Sequence, residues 1–398
     1  MAHIIVEQAA GVAVDAGFNA GDRPLRFHRT MPGYQRTPLL EAPSLAHQLG
    51  VAAVYVKDES LRMGLPSFKL LGASWASAQA VQQEWLGLEP GTVLDVAEIR
   101  DRIPDRERRA LVAATDGNHG RGVARMAAMF GLQCRIYVPA GTAQARIDSI
   151  ASEGATVTVV DGTYDDAIVV AAAEANEHTL VISDTSWEGY REIPTAVGQG
   201  YTTLFAEVDE TLAEAGLPAP TVVAFQAGVG SFAAAGLAHY RSTPGGPRTI
   251  IVEPDTAACL LVSARAGEMT EVPGPHRSSM AGLNCGLPSE LAWPVVQSST
   301  DLFLGVPDSA AEAGMRALAE IGVVSGESGA ATLGALLEAA ADDQERARAG
   351  LTPEAVVLLI NTEGATDPVN YERVVGAAAA VVERERDERR AAHGVVTR

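Results

Sequence analysis

Lysine is almost missing from this chain. Of its 30 basic residues only Lys57 and Lys69 are lysine, and the other 28 are arginine, so a bare positive charge is supplied by guanidinium. Arginine keeps its proton in a protein, whereas a lysine amine can lose its proton and attack a carbonyl. Both lysines sit in one segment, YVKDESLRMGLPSFKLLGA. For Lys57 a surface charge is explanation enough; for Lys69 the neighbours favour chemistry. Cysteine is scarce as well. Cys134, Cys259 and Cys285 are widely spaced and form no metal-ligand pair, so no metal is expected and a reducing cytosol fits best. No stretch has the uninterrupted apolar run that a bilayer span requires, which excludes a membrane partner. The segment MAHIIVEQAAGVAVDAG carries acids and lacks the basic-then-apolar pattern of an export signal, so a cytoplasmic location is expected. Positive charge is short overall: the net charge is −20, which argues against nucleic acid, because phosphate binding wants a basic face.

What is present describes a folded enzyme-sized protein. The chain has 398 residues, 47% hydrophobic and 20% charged, enough for a large core in two or three domains. Residues 1–50 read as an irregular lead-in with a short helix near Leu45–Leu49, and VAAVYVKDE reads as a strand. Ser67 is placed to cap a helix beginning near Phe68. Beyond a polar stretch at 95–109, the β-rich runs ALVAAT, CRIYVP, ATVTVVD and LVISD alternate with helical segments. A long helix, GYTTLFAEVDETLAEAG, precedes a second alternation through TVVAFQA, TIIVEP, a loop-rich stretch from Gly267 to Pro294, two helices and AVVLLINTEG. Alternating strand and helix indicates a parallel sheet with right-handed crossovers. The fold class is therefore α/β, with two parallel or mixed sheet layers and flanking helices. A smaller domain is expected at 74–198, a larger one from 1–73 and 199–398, and the active site between them.

Two glycine-rich turns follow strands. In TVVAFQAGVGSFAAAGLAHY the residues Gly228, Val229, Gly230 and Ser231 lead into a helix whose first amides suit an anion. The same loop satisfies a dinucleotide fingerprint, and Glu253 ends the next strand where a ribose-binding acid would lie, so an NAD(P)-dependent dehydrogenase stays open. The earlier turn, Thr115-Asp116-Gly117-Asn118-His119-Gly120, gathers polar groups at a strand's carboxyl end. It reads as a ligand site, a helix cap by Asp116 or Asn118, or both. Lys69 opens its own helix, where the positive end and apolar Phe68, Leu70 and Leu71 disfavour an ammonium. A lysine able to become neutral, together with a phosphate cradle, points to pyridoxal phosphate.

These motifs, in this order, resemble the fold-type II pyridoxal-phosphate enzymes, the tryptophan synthase β-like group. Within that group KDESLRMGLPSFKLLGA, ATDGNHGRGVA, SDTSWEGY, QAGVGS, CGLPSELAWPVV and NTEGATDP are most similar to the diaminopropionate ammonia-lyase family, over residues 55 to 368. The resemblance implies that Lys69 holds the cofactor as an internal aldimine and shuttles the α-proton. It implies that Asn118 meets the ring hydroxyl and that Gly228, Val229, Gly230 and Ser231 cradle the phosphate. Thr362 would face the pyridine nitrogen, with Asn361 the adjacent candidate. Thr115, Asp116, Gly117 and His119 would bind substrate, and Asp116 and Asp184 would join Lys69 in catalysis.

Asp116 separates this chain from common dehydratases, which carry serine there, and Asp184 matches the lyase as well. Two carboxylates suit a diamine, whose β-ammonium they can hold and whose protons they can relay. Asp184 alone also reads as a strand-end acid capping the next segment. The function expected from the resemblance is α,β-elimination of 2,3-diaminopropionate to pyruvate and ammonia, by a homodimer. Pro66-Ser67 and Leu70-Leu71 depart from the family's usual residues. A serine/threonine dehydratase-like or β-replacement enzyme on another β-substituted amino acid is therefore the alternative, and a catalytically silent binding protein is a third reading.

Overall fold

The structure, a computed structural model, describes residues 4–115 and 117–398. In chain order the strands are β1 Ile4–Glu7, β2 Leu39–Glu41, β3 Ala53–Asp58, β4 Ala110–Ala114, β5 Gln133–Pro139, β6 Thr156–Val160, β7 Thr179–Val181, β8 Val222–Gln226, β9 Arg248–Pro254, β10 Leu302–Val306, β11 Val356–Asn361 and β12 Val396–Thr397. They fall into two compact units.

The larger unit comprises Met1–Ala16, Arg36–Leu61 and Leu204–Arg398. Its sheet runs β1-β10-β9-β8-β11-β3-β2-β12. The five central strands from β10 to β3 are parallel, and the pairs at either end, β1 with β10, β2 with β3 and β12 with β2, are antiparallel. Strands β8, β10 and β11 are buried along their whole length, which explains their unbroken apolar runs: a parallel sheet is covered on both faces. Valine, leucine and isoleucine fill ten of their sixteen positions.

The smaller unit comprises Gly17–Gln35 and Arg62–Thr203. Its four-stranded sheet, β6-β5-β4-β7, is parallel throughout. The boundary drawn from sequence at residue 74 falls inside one continuous helix, Lys69–Glu84, so the structural division lies earlier, at Arg62. Lys69 thus belongs to the smaller unit. The lead-in is also more ordered than its composition suggests, holding β1, β2 and a helix Arg23–Thr30. Strand β10, Leu-Phe-Leu-Gly-Val, lies hidden between two helices in the sequence, and its five residues carry no alternation to announce it. No helix of the described residues is long and apolar enough to cross a membrane.

Candidate active site

In the smaller unit the chain proceeds from β4 through β5 to β6 in one direction and then returns to place β7 on the other side of β4. Between β4 and β7 the strand order therefore reverses, and in open α/β sheets ligands bind beyond the carboxyl ends of strands at such a point. Thr115 follows β4 directly, and Asp184 lies three residues beyond β7. The Thr115 hydroxyl accepts from Gly117 N at 2.9 Å and Gly120 N at 3.1 Å, so Thr115, expected to bind substrate, ties off its own turn. Its bond to Gly120 N satisfies one amide in the first turn of the helix Asn118–Phe130. Asp116 lies outside the described residues. Asn118 begins the helix Asn118–Phe130 and is partly accessible. His119 is buried, and its Nε2 donates to Ile182 O at 2.8 Å. That bond leaves the Nδ1 lone pair with no hydrogen-bond partner among the described residues.

Lys69 is the first residue of its helix, and its backbone N–H is taken by Ser67 Oγ at 3.2 Å. The side-chain ammonium donates to Asp184 Oδ2 at 2.7 Å. The rings of Phe68 and Tyr201 flank it, with centroids 5.7 and 5.9 Å from Nζ. Tyr201 is seated there by close helix contact: at Gly200 a β-carbon would lie 2.3 Å from Leu71 O, so only glycine admits this approach. Sequence reasoning supplied the apolar neighbours of Lys69 but gave it no counter-ion; the structure gives it one. Lys69 and Asp184 keep 23% and 13% side-chain exposure, enough for a small molecule to reach them.

Asp184 is fixed from several sides. Tyr164 Oη donates to its Oδ1 at 3.2 Å. The turn that carries it is clamped by Tyr190, whose hydroxyl donates to Val181 O at 2.6 Å and accepts from Ser183 N at 3.1 Å. The Tyr190 ring stacks on Trp187. Burial pushes the Asp184 carboxyl up, but the charge of Lys69, the imidazole of His119 and hydrogen bonds from Lys69 and Tyr164 outweigh it. The carboxyl is held well below the usual range, so it is an anion at neutral pH. At 2.7 Å this carboxylate is the ion-pair partner of the Lys69 ammonium.

The larger unit has its own reversal point. Strands β8, β9 and β10 advance in one direction, and β11 is added on the other side of β8. The loop Gly228–Ser231 leaves β8 and Thr362 leaves β11, so both expected cofactor contacts stand at the carboxyl ends of these two adjacent strands. Gly230 has φ +96° and caps the helix Ser231–Tyr240; a β-carbon there would be strained and would also meet Ala292 and Leu260 at 3.3 Å. Next to the loop, Gln226 Nε2 donates to Ile360 O and to Thr362 Oγ1, each at 2.9 Å. Asn361 spends its amide on Asp58 Oδ1 and Val324 O, both at 3.0 Å. Gln226 Oε1 and Asn361 Oδ1, at the same strand ends, are buried polar atoms without hydrogen-bond partners among the described residues.

Glu253 corrects one reading of the glycine loop. It is fully buried, and its two oxygens accept from Leu260 N and Leu261 N, each at 2.8 Å, at the start of the helix Cys259–Ala266. Burial pushes its carboxyl up to about 8 against the pull of those amides. The acid that a dinucleotide site needs for the ribose is thus committed to a helix terminus, and the dehydrogenase reading loses it.

Sequence reasoning missed Tyr164 and Gln226. Tyr164 follows Thr163, whose capping box with Asp166 announces a helix start, but nothing local identifies Asp184 as its partner. Gln226 had a legible signal: it is the one polar side chain in the otherwise apolar strand Val222–Gln226.

The family model described as "Pyridoxal-phosphate dependent enzyme" matches residues 30–363. The diaminopropionate ammonia-lyase of Escherichia coli (strain K12) is 40% identical over 362 residues, which span 88% of this chain and 89% of that protein. A crystal structure of the Escherichia coli enzyme in complex with D-serine is 37% identical, with a TM-score of 0.85 over 93% of this chain and 96% of that one. A structure of the same enzyme with an aminoacrylate–PLP azomethine reaction intermediate gives a TM-score of 0.83 over the same shares.

Proposed function

The chain belongs to the pyridoxal-phosphate dependent enzymes, in the family of diaminopropionate ammonia-lyases, and we propose that it eliminates ammonia from 2,3-diaminopropionate to yield pyruvate and ammonia. It is a lyase that uses pyridoxal phosphate. One observation carries the choice of a diamine substrate: the ionised Asp184 carboxylate 2.7 Å from Lys69 Nζ, at the reversal point of the smaller sheet. A carboxylate held beside the reacting amine suits a substrate that brings a second ammonium.

Bound pyridoxal phosphate supplies an electron sink for negative charge at the substrate's α-carbon. Lys69 would supply the amine that anchors the cofactor and, as a free amine, would take the α-proton at Nζ. Asp184 keeps that nitrogen oriented and holds positive charge, first of Lys69 and then of the substrate's β-ammonium, until the amine departs. Thr115 keeps the turn 115–120 rigid by taking two of its amides, so Asn118 is presented from a fixed helix start. In the larger unit Gly228, Val229, Gly230 and Ser231 would hold the phosphate and Thr362 would face the ring nitrogen. Asp116 retains the role implied by the resemblance, a second carboxylate for the β-ammonium or the proton relay. A cytoplasmic homodimer completes the reading, and sedimentation of the holoenzyme checks the assembly.

Pyruvate release across a panel of β-substituted L- and D-amino acids tests the proposal. 2,3-Diaminopropionate is expected to be turned over well above serine and threonine. Rapid release of a keto acid from serine or threonine, with diaminopropionate inert, would make the protein a dehydratase.

A further inference from the structure

A buried histidine stands behind the lysine-bearing helix of the smaller unit. His28, on the helix Arg23–Thr30, is fully buried, and both of its ring nitrogens are engaged. Nε2 lies 3.0 Å from Leu71 O and 3.0 Å from Ser74 Oγ, and Nδ1 lies 2.7 Å from Thr203 Oγ1. A carbonyl oxygen only accepts, so the ring hydrogen is on Nε2. Nδ1 of the neutral ring then accepts from the Thr203 hydroxyl. Ser74 Oγ donates to Leu71 O at 3.2 Å, which leaves its oxygen to accept from the same Nε2 hydrogen. A neutral imidazole in this one tautomer satisfies all three neighbours.

The atom on which these bonds converge is two residues from the reacting amine. Lys69 and Leu71 share the first turn of the helix Lys69–Glu84. Thr203 lies two residues after Tyr201, whose ring flanks Nζ, on the helix Glu192–Ala215. The two helices meet at the same atom: a β-carbon on Gly200 would lie 2.3 Å from Leu71 O, and one on Gly72 would lie 2.4 Å from the Tyr201 ring. A first helical turn has unsatisfied amides and frays unless its surroundings hold it. His28 holds this one from a third helix, with one nitrogen on the turn and the other on the helix that packs against it.

We infer that His28 is a positioning residue for Lys69: it fastens the turn that carries the reacting amine to the helix that carries Tyr201, and so keeps Nζ on Asp184. The inference deepens the proposed function and rests on it. Its leverage comes from where it grips. Displacing a reacting group by about 1 Å can cost a hundredfold in rate, so a bond to the backbone of this turn matters out of proportion to its strength. Of the two nitrogens, Nε2 carries the effect, because Leu71 and Ser74 belong to the helix of Lys69 and Thr203 does not.

The two nitrogens can be tested apart. A glutamine amide reaches the position of Nε2 and an asparagine amide that of Nδ1, so His28→Gln keeps the grip on Leu71 O and His28→Asn keeps only the one on Thr203. Each variant is read three ways: melting temperature, kcat and KM for pyruvate release from diaminopropionate, and the rate at which the apoenzyme takes up pyridoxal phosphate in a form that borohydride fixes on Lys69. His28→Gln should stay within about threefold of the wild type in kcat and uptake. His28→Asn should lose about 10- to 100-fold in both, with KM changed much less, even where the two variants melt at the same temperature. Equal losses in the two variants, or no loss in either, overturn the inference. If His28→Asn does not fold, Ser74→Ala and Thr203→Val take its place. Ser74→Ala, which loosens Leu71 O, should then slow uptake by about threefold or more, and Thr203→Val should leave it unchanged; the reverse order overturns the inference. A wild type that takes up the cofactor but releases no pyruvate from diaminopropionate fails the proposed function alone, and the uptake rates still decide the role of His28.

Discussion

The two lysines share a motif and a partner type but differ in access. Lys57 Nζ lies 2.7 Å from Glu207 Oε2, with both side chains fully buried, and its remaining hydrogen-bonding capacity goes partly to Thr37 O at 2.9 Å. Lys69 Nζ lies at the same 2.7 Å from Asp184, but both side chains keep some exposure and the carboxylate's other oxygen is held by tyrosine. The surface charge expected for Lys57 from sequence is overturned, because that residue sits on β3 in the middle of the larger sheet. The same ion pair is sealed at Lys57 and partly accessible at Lys69. Distance alone does not distinguish them; access does.

The comparison breaks most completely at Lys69. Lys69→Arg keeps the charge toward Asp184 but cannot anchor the cofactor or take a proton, so pyruvate formation should fall by at least roughly a thousandfold. Borohydride reduction of the wild-type holoenzyme should fix the cofactor on this residue; label found on Lys57 would reverse the two roles.

Lys57→Met should act on stability. It leaves Glu207 charged and buried without its cation, at a cost of about 3–5 kcal/mol in denaturant unfolding. Replacing both partners, Lys57→Met with Glu207→Leu, should recover most of that loss, since no lone charge is left inside. A double variant no better than the single one would mean that the bond to Thr37 O matters more than the ion pair.

Asp184→Asn sharpens the other half. It keeps the shape and loses a desolvated charge, so turnover of diaminopropionate should fall by roughly 30- to 1000-fold, the equivalent of about 2–4 kcal/mol. It should also alter acid stability. A carboxylate depressed in the folded state stabilises the protein above its ordinary value, near 3.8, and loses that contribution as pH falls below it. The wild type should therefore lose more stability than the variant on acidification below about pH 4, as measured by melting temperature. The smallest effect is expected for Tyr164→Phe, which removes one neutral donor to Asp184 and should cost turnover about 2- to 12-fold. An equal loss of cofactor affinity in Tyr164→Phe would mean that the hydroxyl serves binding and not the acid.

Most of the strand and helix alternation was legible because buried parallel strands write themselves as apolar runs: β4, β5, β8, β9 and β11 all fall within stretches identified that way. What was hidden is what the third dimension adds. β1 and β12 are edge strands and β2 lies next to one of them; with two to four residues each, they are recognisable only by what they pair with. Lys69 and Asp184 stand 115 positions apart, and no local pattern says that they touch. Glu253 shows the converse: it occupied the right place in a dinucleotide motif, and only its burial and its two backbone donors reveal a structural duty.

Strand β11 has a further consequence, for the order in which the chain can fold as it is made. It pairs with β8 on one side and β3 on the other, and Asn361 reaches Asp58 across 303 positions. Until β11 leaves the ribosome, β2 and β3 have no route into the sheet, and their valines and leucines are exposed. The smaller unit, drawn mainly from Arg62–Thr203, is complete long before that. Strand β12, which follows β11 in the chain, then pairs with β2 and lies next to the segment that has waited longest. Ending the chain before Val356 would thus cost far more than the residues removed: without β11 the larger sheet is left in two pieces, with the lysine-bearing β3 on the smaller one.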